Sequence, residues 1–100
     1  MKVTNITNSR GRKVPNQFMI NDGNVYTFQS YNSIIAVVNF DNSTITIGYN
    51  WDYSTTTSRY RNKFFETLGL DEMSDTASVR EAIKNGSVAG YKVVYEEGLR

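Results

Sequence analysis

The residues best suited to chemistry cluster between Tyr49 and Phe65. Tyr49, Trp51 and Tyr53 stand at alternate positions, hydroxyl side chains follow from Ser54 to Ser58, and Arg59, Arg61 and Lys63 come next. Hydroxyls at the start of a helix, with guanidinium groups nearby, can cradle a phosphate or another anion. The first turn leaves backbone N–H groups unpaired, and the helix dipole adds positive potential there. Aromatics interleaved with cations can also bind single-stranded nucleic acid, the rings stacking on bases while the cations track phosphates. Both patterns have plainer explanations. N-capping accounts for the hydroxyls, and a small domain needs large rings in its core. Asp52, between Trp51 and Tyr53, is a carboxylate that burial could tune, but no second carboxylate stands at an informative spacing. As a structural residue it would cap the helix start or pair with Arg59.

A second basic group, Arg10, Arg12 and Lys13, surrounds Gly11 in a polar stretch. It can meet an acidic protein or a phosphate, or simply be solvated. Seven basic residues face three acidic ones over residues 1–65, whereas four face seven over residues 66–100. This asymmetry gives the chain a basic part without giving it a net charge large enough to name a partner.

The 100-residue chain has neither Cys nor His. Thiol nucleophiles, disulfides, imidazole bases and the usual zinc ligands are therefore excluded. No phosphate-loop or cofactor motif is present, so a non-enzymatic role without cofactor is expected. No segment reads as a signal peptide or a membrane span, which leads us to expect a cytoplasmic protein with no membrane partner.

These residues must be held by a single α+β domain spanning residues 1–100. Lys2–Ile6 reads as a first strand, and Asn8–Asn16 as a loop. Asp22-Gly23 reads as the centre of a two-residue hairpin turn that pairs Ile20 with Val25 and Met19 with Tyr26. Ile34–Val38 is a continuous apolar run, the pattern of a strand covered on both faces. Thr44–Tyr49 alternates, completing a four-stranded antiparallel meander from Gln17. The period then becomes helical, with Tyr60, Phe64, Phe65 and Leu68 on one stripe and Gly69 as terminator. A second helix over Ser74–Asn85 carries Val79, Ala82 and Ile83. Ser87–Tyr95 reads as a last strand. The expected fold is an antiparallel sheet of five to six strands, with two helices on one face inserted before that last strand.

Two segments, Phe28–Ala36 and Trp51–Phe64, give residues 16–65 a resemblance to small uncharacterised proteins of phages and other mobile elements of low-GC Gram-positive bacteria. That resemblance implies a short viral or mobile-element protein that binds and modulates a host protein. Its target would be a defence system, as an anti-CRISPR inhibitor targets a defence nuclease. The alternative is a nucleic-acid-binding accessory domain using residues 49–63. The candidate binding residues are Arg10, Arg12, Lys13, Trp51, Asp52, Tyr53, Arg59, Arg61 and Lys63. Arg59 and Arg61 are expected on the surface, replaceable together without loss of the fold.

Overall fold

The computed structural model describes residues 1–100. Five strands, β1 (Lys2–Thr7), β2 (Lys13–Asp22), β3 (Val25–Ser30), β4 (Ser33–Asn39) and β5 (Thr44–Gly48), run as an antiparallel meander. Helix α1 (Thr55–Thr67), a short 3-10 turn (Asp71–Met73) and helix α2 (Thr76–Asn85) follow. The chain closes with β6 (Ser87–Val88) and β7 (Tyr91–Glu96). The strand order is β1-β2-β3-β4-β5-β7-β6, a mixed sheet of seven strands.

The expectation of five or six strands, all antiparallel, needs correction at β6 and β7. The stretch Ser87–Tyr95 is a tight hairpin rather than one strand. It turns at Ala89 (φ 49°) and Gly90 (φ 84°), the paired positive angles that a two-residue hairpin turn requires. β7 then lies parallel to β5, with Ile45 opposite Val93 and Ile47 opposite Tyr95. Direction follows from connection: the helices lead into β6, which runs opposite to β5, and the turn at Ala89-Gly90 then reverses the chain so that β7 runs parallel to β5.

The β2–β3 hairpin is offset from the register expected around Asp22-Gly23. Gly23 and Asn24 occupy the turn, so Asp22 pairs with Val25, Ile20 with Thr27 and Met19 with Phe28. Gly23 carries the positive φ (61°) at the first turn position, the place where glycine suits a hairpin turn. The offset moves each pairing by two residues on β3. Since side chains alternate with period two, every residue keeps its face. Met19, Tyr26 and Phe28 point towards the helices, and Phe18, Ile20, Val25 and Thr27 point away.

The core lies between the sheet and the helices. Phe28, Ile35, Ala36, Val38, Ile45, Ile47 and Val93 of the sheet meet Phe64, Phe65, Met73, Val79 and Ala82. Phe28 stacks on Phe64 with centroids 5.7 Å apart, and Phe64 meets Phe65 edge-on at 5.4 Å, geometries favoured by the ring quadrupole. Ile34–Val38 does not have both faces covered, as its apolar run suggested. Ile34 and Val37 are only half-buried. Consecutive burial of Ile35 and Ala36 comes from a register shift against β3 between Phe28 and Gln29, where an extra residue lets two neighbours turn inward.

Candidate functional site

The β5–α1 connection carries Trp51, Asp52 and Tyr53 and leads into helix α1, which carries Arg59, Arg61 and Lys63. Ser54 is its N-cap: the backbone is extended (φ −150°), and Oγ accepts from the Thr57 N–H at 3.1 Å. Ser54 Oγ donates in turn to Thr57 Oγ1 at 3.1 Å, and Thr57 Oγ1 lies 3.2 Å from Ser30 Oγ on β3. Thr57 and Ser30 are both buried. The capping hydroxyls thus lock the head of the helix onto the sheet.

One turn on, at Arg61, the structure departs most from the expectation of a surface cation. Arg61 is the largest wholly buried side chain in the molecule. The inward stripe of α1 is Thr57, Arg61, Phe64 and Phe65, with Tyr60 only partly buried. Its guanidinium donates to the Trp51 carbonyl at 2.7 Å, to Asn62 Oδ1 at 2.8 Å and to Thr76 Oγ1 at 2.7 Å. Nε has no partner. Arg61 therefore ties the β5–α1 connection to the start of α2 and is closed to any ligand. Burial draws its pKa down from the ordinary guanidinium range to about 10, against the pull of Asp52. Trp51 lies between two cations, Arg61 at 5.3 Å and Arg80 at 5.7 Å from the ring centre, an arrangement that stabilises both through the ring quadrupole.

Other expected residues remain outside. Asp52 and Tyr53 are exposed, as are Arg10, Arg12, Lys13 and Arg59, while Lys63 is half-exposed. The β1–β2 loop, which carries Arg10 and Arg12, meets α1 in space. A depression of about 360 Å³ is lined by Asn8 and Ser9 of the β1–β2 loop and by Arg59, Tyr60 and Lys63 of α1. Asn8 shapes this loop: its Oδ1 accepts from the N–H groups of Arg10 and Arg12, at 2.9 and 3.1 Å. Arg10 and Arg12 thereby belong to a tight loop whose Asn8 and Ser9 meet α1. Glu66 is the only acidic residue of that helix.

A second concavity, of about 530 Å³, opens on the other side of the α1 head. Tyr31 and Asn32, the turn between β3 and β4, form one wall, and Asn50 and Tyr53 of the β5–α1 connection form the other. Sequence reasoning singled out only Tyr53 of these four. The available signal was the short span between two strand patterns at Tyr31-Asn32, which marks a tight turn. Tyr31 adopts φ 54° there, an uncommon backbone for a bulky residue. Hydrogen bonds from its N–H to the Asn16 carbonyl (2.7 Å) and from Gln29 Nε2 to its own carbonyl (2.7 Å) hold it in place.

No helix is long and apolar enough to cross a membrane. Comparison with curated proteins and with solved structures gives no match. A family model does match, over residues 1–86, which takes in the basic loop, the meander and both helices: the chain belongs to a family of unknown function, DUF8033.

Proposed function

We propose that this protein is a non-enzymatic binding module that engages an acidic surface of a partner protein through the basic face shared by the β1–β2 loop and α1. The observation that carries this reading is the single depression bounded by Ser9, Arg59, Tyr60 and Lys63, in the loop that also carries the exposed Arg10 and Arg12. A basic rim around a partly buried tyrosine supplies steering charge and an amphipathic anchor together. The resemblance to mobile-element proteins adds a context, in which the partner is a host protein in the bacterial cytoplasm, such as a defence nuclease that the module inhibits.

Single-stranded nucleic acid is the weaker alternative, because the aromatics it would use are committed elsewhere. Trp51 is held between Arg61 and Arg80, Tyr49 lies under Arg100 at 4.1 Å, and Tyr53 faces the other concavity. A basic face with one ring, the half-buried Tyr60, in place of a row of exposed ones suits an acidic protein better than successive unpaired bases.

The test is affinity capture from bacterial lysate with the wild-type protein and with the Arg59→Glu/Lys63→Glu variant. The reading expects a protein retained stoichiometrically by the wild type, lost with the variant and weakened by salt. Equal capture by both forms would remove the basic face from the mechanism. A parallel titration with oligonucleotides separates the alternative: binding with a steep salt dependence would favour nucleic acid.

A further inference from the structure

One face of the sheet carries no helix. Both helices pack on the side of Phe28, Ile45 and Val93, and the residues that alternate with these point the other way. The strand registers set six of them in one continuous row: Val3, Ile20, Thr27, Val37, Thr46 and Val94, on β1 to β5 and β7. All six are β-branched and none is charged. Val3 is 56% exposed, and the other five remain partly exposed. Phe18 and Ile34 extend the apolar area one row further along the strands. A sheet face that meets water usually alternates polar residues against the buried ones, and a contiguous apolar area of this kind marks an interaction surface.

The row on the other side of the apolar one tells what covers it. Asp22, Val25, Asn39, Thr44 and Lys92 are successive partners across β2, β3, β4, β5 and β7. A carboxylate therefore stands at one end of this row and an ammonium at the other, with β4 midway. Four strand spacings separate the two groups, about 19 Å, so they cannot pair within one chain. A two-fold axis along β4, in the plane of contact, carries β2 of one copy onto β7 of the other. Asp22 then faces the partner's Lys92 and Lys92 the partner's Asp22, Ile20 meets the partner's Val94, and Val37 meets its own counterpart on the axis. Such self-complementarity is what a closed pair of identical chains requires. Glu96, the remaining charged strand residue on this side, lies at a corner where the chain turns back and the Leu99 N–H reaches the Glu96 carbonyl.

We infer that the uncovered sheet face is a homodimer interface, two copies stacking face to face as aligned sheets, with Asp22 and Lys92 in reciprocal ion pairs at its two edges. Six strands make the face about 24 Å wide, and three outward residues per strand make it about 20 Å long, a footprint of roughly 500 Å² per copy. Two such faces together reach about 1,000 Å², the lower bound for a specific interface, so the pair dissociates in the micromolar range. The helices, and with them Arg59 and Lys63, lie on the outer sides of the pair. The interface therefore stands or falls separately from the basic face.

Sedimentation of the intact protein between about 1 µM and about 500 µM reads the state of association. A reversible passage from monomer to dimer is expected. Thr27→Lys places a charge beside the axis, at a partly exposed position, and is expected to weaken association at least tenfold with the far-ultraviolet circular dichroism unchanged. Asp22→Lys and Lys92→Asp each oppose two pairs of like charges across the interface, and each is expected to weaken it several-fold. The double variant Asp22→Lys/Lys92→Asp is expected to restore it. With the two positions four strands apart in each chain, that rescue arises only between copies. The inference is overturned if the protein stays monomeric throughout this range, which would leave the face to a partner of another kind. It is overturned equally if the double variant associates no better than the single ones, or if a folded Thr27→Lys protein associates as the wild type does. Loss of association in Arg59→Glu/Lys63→Glu would also sink it, by placing the contact on the basic face.

Discussion

Arg61→Ala offers the sharpest test of the fold, because a surface arginine and a buried one respond so differently. Substitution of an exposed arginine changes stability by no more than about 0.5 kcal/mol. Removing Arg61 empties the space of the largest wholly buried side chain, and truncating a long buried side chain to alanine costs about 2–5 kcal/mol. It also leaves the Trp51 carbonyl and the Thr76 hydroxyl without their 2.7 Å partners, at about 1–3 kcal/mol for each group that water cannot reach. Opposing both is relief of the desolvation that draws the pKa to about 10, since a buried guanidinium costs several kcal/mol before its partners offset it. The balance is a loss of about 3 kcal/mol, equivalent to roughly 12–24 °C in melting temperature for a domain of this size. Urea denaturation of Arg61→Ala, Arg61→Lys and Arg61→Met measures it. Arg61→Lys is expected to lose about half as much, because a point charge cannot span Trp51, Asn62 and Thr76 as a planar fork does. Arg61→Met retains the stem volume and gives up only the polar ties, so it falls nearest the wild type. A loss below about 0.5 kcal/mol for Arg61→Ala would refute the burial argument.

Further predictions rest on separate features. Gln17→Leu replaces an amide without partners by an apolar group of similar size, and should raise stability by about 1–2 kcal/mol in urea titration. A loss instead would show that buried water satisfies the amide. Gly48→Ala should be strongly destabilising, because a Cβ would lie 2.5 Å from the Ile34 carbonyl oxygen and 2.8 Å from that of Leu99. Neither main chain can give way cheaply, so a melting curve unchanged by this substitution would contradict the close approach. Asp75 caps α2 by accepting from the N–H and hydroxyl of Ser78, at 2.7 and 2.9 Å, and these bonds hold its pKa below the usual carboxylate value. A depressed carboxylate stabilises the fold above its unfolded pKa and loses that effect as pH falls through the folded value. The melting-temperature gap between wild type and Asp75→Ala should therefore be full at neutral pH and close below about pH 3.8. A gap independent of pH would mean that charge plays no part in the cap.

Periodicity carried much of this fold, and it failed where a residue's chemistry contradicts its position. The meander, both helices and the Gly69 stop are legible because alternation, apolar stripes and turn residues agree. Arg61 is misread because hydropathy assigns arginine to the surface, although Thr57, Arg61, Phe64, Phe65 and Leu68 fall at i, i+4, i+7, i+8 and i+11 on one inward stripe. Only knowledge that Trp51, Asn62 and Thr76 converge on that position would have placed a guanidinium there, and convergence between distant elements leaves no local trace. The direction of β7 is hidden in the Ala89-Gly90 turn: Ser87–Tyr95 reads as one strand, but the turn reverses the chain after Val88, so β7 runs opposite to β6 and parallel to β5. The β2–β3 offset escaped because Asp22-Gly23 and Gly23-Asn24 are both acceptable turn pairs, and both keep Phe28 facing the core.

The candidate site divides along the same line. Within α1, residues that face inward and residues that face outward alternate so closely that one stretch supplies the core, an anchor and two surfaces. Arg61 fastens the helix to Trp51 and to α2, and Thr57 fastens its head to Ser30 on the sheet. With both fixed, Arg59 and Lys63 can point only towards the β1–β2 loop, and Ser54, Thr56 and Thr57 only towards the Tyr31-Asn32 turn. The basic face and the uncharged concavity are thus set by one helix whose rotation is pinned by two buried polar side chains. It follows that Arg61→Lys, which weakens one pin, should disturb the amide resonances around both surfaces together, whereas Tyr53→Ala and Arg59→Ala should each disturb one. Independent responses to Arg61→Lys would show that the two surfaces are positioned separately.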